Sequence, residues 1–174
     1  MMNDLSSYLI LFNISKKQNL GNLIRTANAL GVSQVLVVGR KQFRQFGAFG
    51  TSHCSQLQHF YALDEACVYA RQMGCDVCGI EIHAESKPVQ THPFRRSTAF
   101  MVGNEGEGLT QQQLQACDYF VQIPQYGRGA SLNVNVAAGI VLHHFAVWAQ
   151  FVGNPSRDGK FFAPGEASDS PTGV

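Results

Sequence analysis

Charged side chains are scarce in this 174-residue chain: they make up 14% of it, against 45% apolar residues, where ordinary globular chains carry roughly 25% charge. That balance excludes a disordered polyelectrolyte or a coiled coil and calls for a compact fold. Long apolar runs are missing too. None approaches the ~20 residues of a membrane span, and the amino terminus has neither a basic start nor a cleavage-site pattern, so a soluble, cytoplasmic protein is expected. The five cysteines (Cys54, Cys67, Cys75, Cys78, Cys117) are odd in number and irregularly spaced, which argues against a disulfide framework. Cys75 and Cys78 form one C-x-x-C without a second pair, inside a stretch that reads as an apolar strand, so free thiols and no metal are expected.

What is present is a chain of one-domain length with unevenly placed charge. Residues 1–60 carry Lys16, Lys17, Arg25, Arg40, Lys41 and Arg44 against the single acid Asp4, whereas residues 61–126 are net acidic. A basic first third suits a phosphate backbone, or is simply a solvated face. Apolar runs at 8–12, 35–38, 76–82, 98–102 and 119–123 read as strands. Helical spacing at 20–30, 63–73, 110–116 and 132–151 separates them, with Gly31 as a stop and Thr110 as an N-cap. Strands that are apolar on both faces and separated by helices predict an α/β domain with a mainly parallel sheet, whose ligands bind beyond the carboxyl ends of the strands. The folded body is placed at 1–152. The Pro-, Gly- and Ser-rich remainder, 153–174, is expected to be a flexible tail.

Three stretches put polar residues and glycines where strands end or helices begin. In the first, Asn19 is expected to cap a helix whose opening turn holds Gly21 and Asn22, with Arg25 close behind; amides and a guanidinium there suit an anion. The second, Gly103-Asn104-Glu105-Gly106-Glu107-Gly108-Leu109, is a glycine-rich loop between strand and helix. It is neither a P-loop nor a dinucleotide fingerprint, for it lacks the Lys-Ser or Lys-Thr pair, and two carboxylates repel a pyrophosphate. A cationic or neutral ligand fits it better. In the third, Ser131, Asn133 and Asn135 open an otherwise apolar helix after the glycines at 127 and 129. Three such groups in five residues point to a polar pocket.

Taken in order, the three stretches resemble the motifs of the SpoU (TrmH-like) branch of the SPOUT superfamily of RNA ribose 2′-O-methyltransferases. N-x-G-x-x-x-R is met by Asn19, Gly21 and Arg25; G-N-E-G-x-G-L by residues 103–109; and I-P-x-x-G-x-x-x-S-L-N-V-x-V-A by residues 123–137. The resemblance covers about residues 5 to 150.

It implies a SPOUT-type α/β fold, with helices flanking a mainly parallel sheet and a C-terminal deep trefoil knot holding S-adenosyl-L-methionine. Gly103, Asn104, Glu105, Ile123, Ser131 and Leu132 are then the expected cofactor contacts, and Arg25, Asn19, Glu105, Ser131 and Asn133 the expected catalytic set. Arg25 either grips the phosphate beside the target ribose or deprotonates the hydroxyl; Glu105 either pairs with Arg25 or holds the cofactor's positive end. A homodimer with a shared site is implied, to which Phe145 and Trp148 are candidate contributors, core packing being the other use of Trp148. Many relatives carry an extra amino-terminal RNA-binding domain, for which no room is expected before Tyr8. RNA contacts therefore fall to Lys16, Lys17, Arg40, Lys41, Arg44 and Arg128. Phe43, Phe46 and Phe49 either stack bases or form an apolar cluster. The expected reaction is metal-free guanosine 2′-O-methylation of tRNA, with rRNA, or a catalytically inactive RNA-binding protein, as alternatives.

Overall fold

The computed structural model describes residues 5–39, 56–129 and 131–153. Seven strands form one sheet: β1 (Ser7–Leu11), β2 (Gln34–Val38), β3 (Gln56–Phe60), β4 (Asp76–Ile80), β5 (Lys87–Pro88), β6 (Thr98–Val102) and β7 (Tyr119–Gln122). Their spatial order is β3-β2-β1-β6-β4-β7-β5, and every pairing is parallel. The helices are α1 (Lys17–Ala29), α2 (Leu63–Gln72), α3 (Gln111–Ala116) and α4 (Val134–Trp148), with a 3-10 turn at Val89–Thr91.

A period of two along each strand divides the core into two halves. Leu9, Leu11, Val35, Val37, Phe100 and Val102 face α1 and α4. Tyr8, Ile10, Leu36, Val38, Ala99 and Met101 face α2 and the residues beside α3. Both faces are covered, as an all-parallel sheet requires. The chain leaves β1 toward β2 and β3, then returns past β1 to β4 on the far side of β6. Strand order therefore reverses beside β6, and loops diverge there at the carboxyl ends.

The structure corrects several sequence-based expectations. Helix α1 begins at Lys17 and Lys16 occupies the cap position without a side-chain bond. Asn19 thus lies within the first turn, 7% exposed, and is not the cap. Strand β3 was not foreseen because its Gln-Leu-Gln-His-Phe sequence suits a half-exposed edge. Residues 81 and 82 lie beyond the end of β4, and α4 is shorter than the apolar run containing it. Phe145 is fully buried among Phe94, Phe100 and Trp148, so it is a core residue and not part of an intersubunit surface. Trp148 packs against that same cluster. Thr110 caps α3 as expected, accepting from Gln113 N at 3.3 Å.

Candidate active site

A cleft of about 450 Å³ opens at the carboxyl ends of the neighbouring strands β6, β4 and β7, within the ~300–1,000 Å³ range of small-molecule sites. Its walls come from three separate stretches of chain. Residues 102–108 follow β6, residues 80–82 end β4, and residues 122–125 continue β7 toward Ser131, Leu132, Val134 and Ala137 at the start of α4. Gly103, Asn104, Glu105, Ile123, Ser131 and Leu132 all line this one space.

The glycine loop is closed by its own backbone: Asn104 N donates to Gly108 O at 2.8 Å and Gly108 N to Asn104 O at 3.0 Å. Gly103 is required for that closure. A Cβ on it would collide with the Gly108 carbonyl carbon and lie 2.6 Å from Leu109 N. The Asn104 side chain then ties the loop to the segment after β1, donating to Asn13 O at 3.0 Å and accepting from Gly106 N at 2.9 Å.

Glu105 reaches across to the start of α1. Its carboxylate accepts from Ser15 N and Lys16 N, both at 3.2 Å, and from Asn19 Nδ2 at 2.7 Å. The amides expected to hold an external anion are therefore held by an internal one. Burial alone pushes the Glu105 carboxyl up, but the bonds from Asn19 and the backbone amides prevail and hold it below its ordinary value. A carboxylate only accepts, so Asn19 must present its amide group to it. The Asn19 oxygen is thereby left to accept from Asn133 Nδ2 at 3.4 Å. Asn133 in turn caps α4, accepting from Asn135 N at 2.9 Å. A polar chain Glu105–Asn19–Asn133 thus links all three motifs.

Other expected site residues sit elsewhere. Asn135 faces α1 and accepts from Thr26 Oγ1 at 2.8 Å, outside the pocket. Arg25 is exposed on α1 and is not among the residues lining the cleft. Lys16, Lys17 and Arg128 are exposed. Arg40, Lys41, Arg44, Phe43, Phe46, Phe49 and the tail 154–174 lie outside the described residues. Two features escaped the sequence reading. Glu81 lines the cleft, and Thr26 joins α1 to α4; the only sequence signal for Glu81 is an acid at the end of an apolar run.

The lining has a distinct chemistry. Glu81, Glu105 and Glu107 contribute to it and, among the described residues, no Lys, Arg or His does, while Ile80, Val102, Ile123, Leu132 and Val134 supply an apolar wall. Such a site fits a ligand that is cationic at one end and flat and apolar at the other. Cys75 and Cys78 do not contribute: burial pushes the Cys75 thiol up to about 12 and pushes the Cys78 thiol well above its ordinary value too. Among the described residues no cluster of three His, Cys, Asp or Glu side chains is arranged to hold a metal, and no helix is long and apolar enough to cross a membrane.

The model of the SpoU rRNA Methylase family matches residues 6–143. The chain belongs to that family. Among curated SpoU relatives it is 31% identical over 140 residues to the 23S rRNA (guanosine-2′-O-)-methyltransferase RlmB of Coxiella burnetii, covering 78% of this chain and 56% of that one. It is 27% identical to the tRNA (guanosine(18)-2′-O)-methyltransferase of Escherichia coli strain K12, over 75% of this chain and 58% of the other. The chain therefore spans less than two thirds of the length of these relatives. The crystal structure of the SpoU methyltransferase AviRb from Streptomyces viridochromogenes, in complex with AdoMet, superposes with a TM-score of 0.69 at 25% identity, covering 87% of this chain and 60% of that one.

Proposed function

We propose that residues 1–152 form an S-adenosyl-L-methionine-dependent methyltransferase that acts on a ribose 2′-hydroxyl of RNA, with a tRNA guanosine as substrate. The observation that carries this reading is the convergence of the loop 103–108, of Gln122, Ile123 and Gln125, and of Ser131, Leu132, Val134 and Ala137 on one cleft whose only charges, among the described residues, are carboxylates. The fit is chemical. The carboxylates suit the sulfonium and ammonium end of the donor; Ile123, Leu132 and the backbone of Gly103 suit an adenine. When bound, the cofactor supplies an electrophilic methyl on a good leaving group, so the transfer draws on no metal.

The chain's own residues orient the acceptor. Glu105, Asn19 and Asn133 lock the loop, α1 and α4 together, which fixes the edge of the cleft over which RNA enters. Ser131 lines that cleft beside Leu132 and offers a hydroxyl to the bound ligands. Arg25 is a poor general base, its guanidinium holding its proton above pH ~12. It serves instead as a bidentate clamp on the phosphate beside the target ribose, which leaves a phosphate oxygen to take the hydroxyl proton. Its exposure on α1, off the lining of its own cleft, supports action on RNA bound at the cleft of a second subunit. Helix α4 supports such a homodimer. Its inner face holds Ala138, Val141, Leu142 and Phe145, yet Val136 and Val147 on its outer side remain 48% and 55% exposed. On this reading the chain around the cleft is threaded as the family's deep trefoil knot, Lys16, Lys17 and Arg128 meet phosphates together with Arg40, Lys41 and Arg44, and the protein works in the cytoplasm.

The experiment is incubation with S-adenosylmethionine labelled at the methyl group and purified tRNA or rRNA, followed by mapping of the modified nucleoside. Label is expected in tRNA as a 2′-O-methylguanosine. Label confined to rRNA shifts the substrate to the second reading, which the RlmB relative favours; no label in either fraction overturns the proposed activity.

A further inference from the structure

The wall of the cleft formed by β4 carries a carboxylate that none of the three motifs contains. Glu81 directly follows β4, and its backbone is held on both sides: its N–H donates to Val121 O at 3.0 Å and its carbonyl accepts from Ser86 Oγ at 2.8 Å. The side chain folds back so that Oε1 accepts from Ile82 N at 2.9 Å and Oε2 from Leu109 N at 2.8 Å. Leu109 is where the glycine loop ends. Gly108 beside it has φ +71°, and a Cβ there would collide with Glu81 Oε2. Because Gly108 is bonded in both directions to Asn104, the position of the Glu81 carboxylate is transmitted to the whole loop, and through Glu105 to α1.

We infer that Glu81 is a positioning residue: it holds the glycine-rich loop in the form that binds the methyl donor, acting through the backbone amide of Leu109. The inference rests on reading the cleft as the donor site. A carboxylate suits this task better than an amide because it accepts at both oxygens, whereas glutamine must turn its NH2 group toward one of the two N–H donors. The remaining lone pairs face a cleft already lined by Glu105 and Glu107, and add to its preference for a cationic ligand.

The test is Glu81→Gln in the full chain. Removing one of two bonds to a charged acceptor is expected to raise the KM for S-adenosylmethionine and the Kd for S-adenosylhomocysteine by about tenfold, with kcat changed less than about threefold. Without ligand, hydrogen exchange at the Leu109 amide should accelerate while exchange in β1 and β6 stays unchanged. Native KM together with native Leu109 exchange overturns the inference. Should the native protein bind neither S-adenosylmethionine nor S-adenosylhomocysteine, the donor-site reading fails, and Leu109 exchange still decides whether Glu81 holds the loop. Should Glu81→Gln fail to fold, Gly108→Ala, which displaces the carboxylate and retains it, must show the same rise in KM; an unchanged KM in that variant overturns the inference.

Discussion

Asn19 Nδ2 donates to Glu105 Oε1 at 2.7 Å, joining residues 86 positions apart in the sequence. The bond couples two features usually treated separately. Helix α1 lacks a side-chain cap of its own, and a carboxylate placed at its start complements both the free N–H groups and the positive end of the helix dipole. Glu105 fills that role from the loop after β6. The cleft therefore cannot be rebuilt without disturbing the helix that carries Arg25.

A pH dependence follows. The folded Glu105 carboxyl lies below its ordinary value of 4.5, burial being outweighed by the bonds from Asn19 and the backbone. The unfolded chain therefore takes up the proton first as pH falls, so this stabilisation is complete above the unfolded value and is lost as pH drops through the folded one. Thermal unfolding between about pH 3 and 6, a window that spans the ordinary carboxylate range, should show a steeper acid loss for the native chain than for Glu105→Gln. Near neutral pH, Glu105→Ala should cost about 1 kcal/mol, the usual worth of a helix cap.

Gly103→Ala should be far more damaging to binding than its single added methyl suggests. The obstacle is the Gly108 carbonyl, with its oxygen 2.6 Å from the new Cβ. Backbone cannot rotate aside as a flexible side chain can. The strain should cost about 1–3 kcal/mol of stability and open the Asn104–Gly108 closure. Calorimetry with S-adenosylhomocysteine should show the affinity falling by an order of magnitude or more, roughly what that much strain would remove.

A second titration is expected from the other end of α4. His144 Nδ1 and His92 Nε2 lie 3.0 Å apart, and burial, then His92 and His143, push the His144 imidazole below its ordinary 6.5. The unfolded chain thus binds the proton first, and stability falls as pH drops below that ordinary value toward the folded one. Denaturant titrations at several pH values should give a flatter profile between about pH 5 and 7 for His144→Gln. A profile with unchanged slope would mean that neither burial nor the neighbouring imidazoles depress His144 in solution.

Much of this architecture is legible in the sequence where a run of residues obeys one period. The strand at Thr98–Val102 and the cap at Thr110 stand where apolar runs and turn chemistry place them. So do the second and third motif stretches, which meet in the cleft, and the first, which is tied to them through Asn19. What is not legible depends on distant partners. Asn19 has the right chemistry for a cap and is expected there, but tertiary contact with Glu105 moves the helix start to Lys17 and makes Asn19 a donor. Phe145 is expected at an intersubunit surface until Phe94 and Phe100 are seen around it. Glu81 is masked by the apolar run before it, and only the return of Leu109 gives it a partner. The knot proposed for this chain has no local sequence pattern of its own, because threading is a property of the whole chain.

The sharpest separation of roles is expected from Arg25→Lys. Arg25 is exposed and outside the residues lining the cleft, so its replacement leaves the donor site intact. Lysine keeps the charge but loses the planar fork that grips two phosphate oxygens at once. Methyl transfer should therefore fall on the order of a hundredfold, as expected when an acceptor is held in the wrong orientation, while the Kd for S-adenosylhomocysteine stays within about twofold, since no binding free energy to that ligand is removed. Mixing Arg25→Lys with a Gly103→Ala chain adds a second test. If the guanidinium acts on RNA at the partner's cleft, heterodimers of the two inactive variants contain one native pairing and should regain part of the activity. If Arg25 acts only within its own chain, the mixture stays inactive. Native turnover in Arg25→Lys would remove this residue from the mechanism altogether.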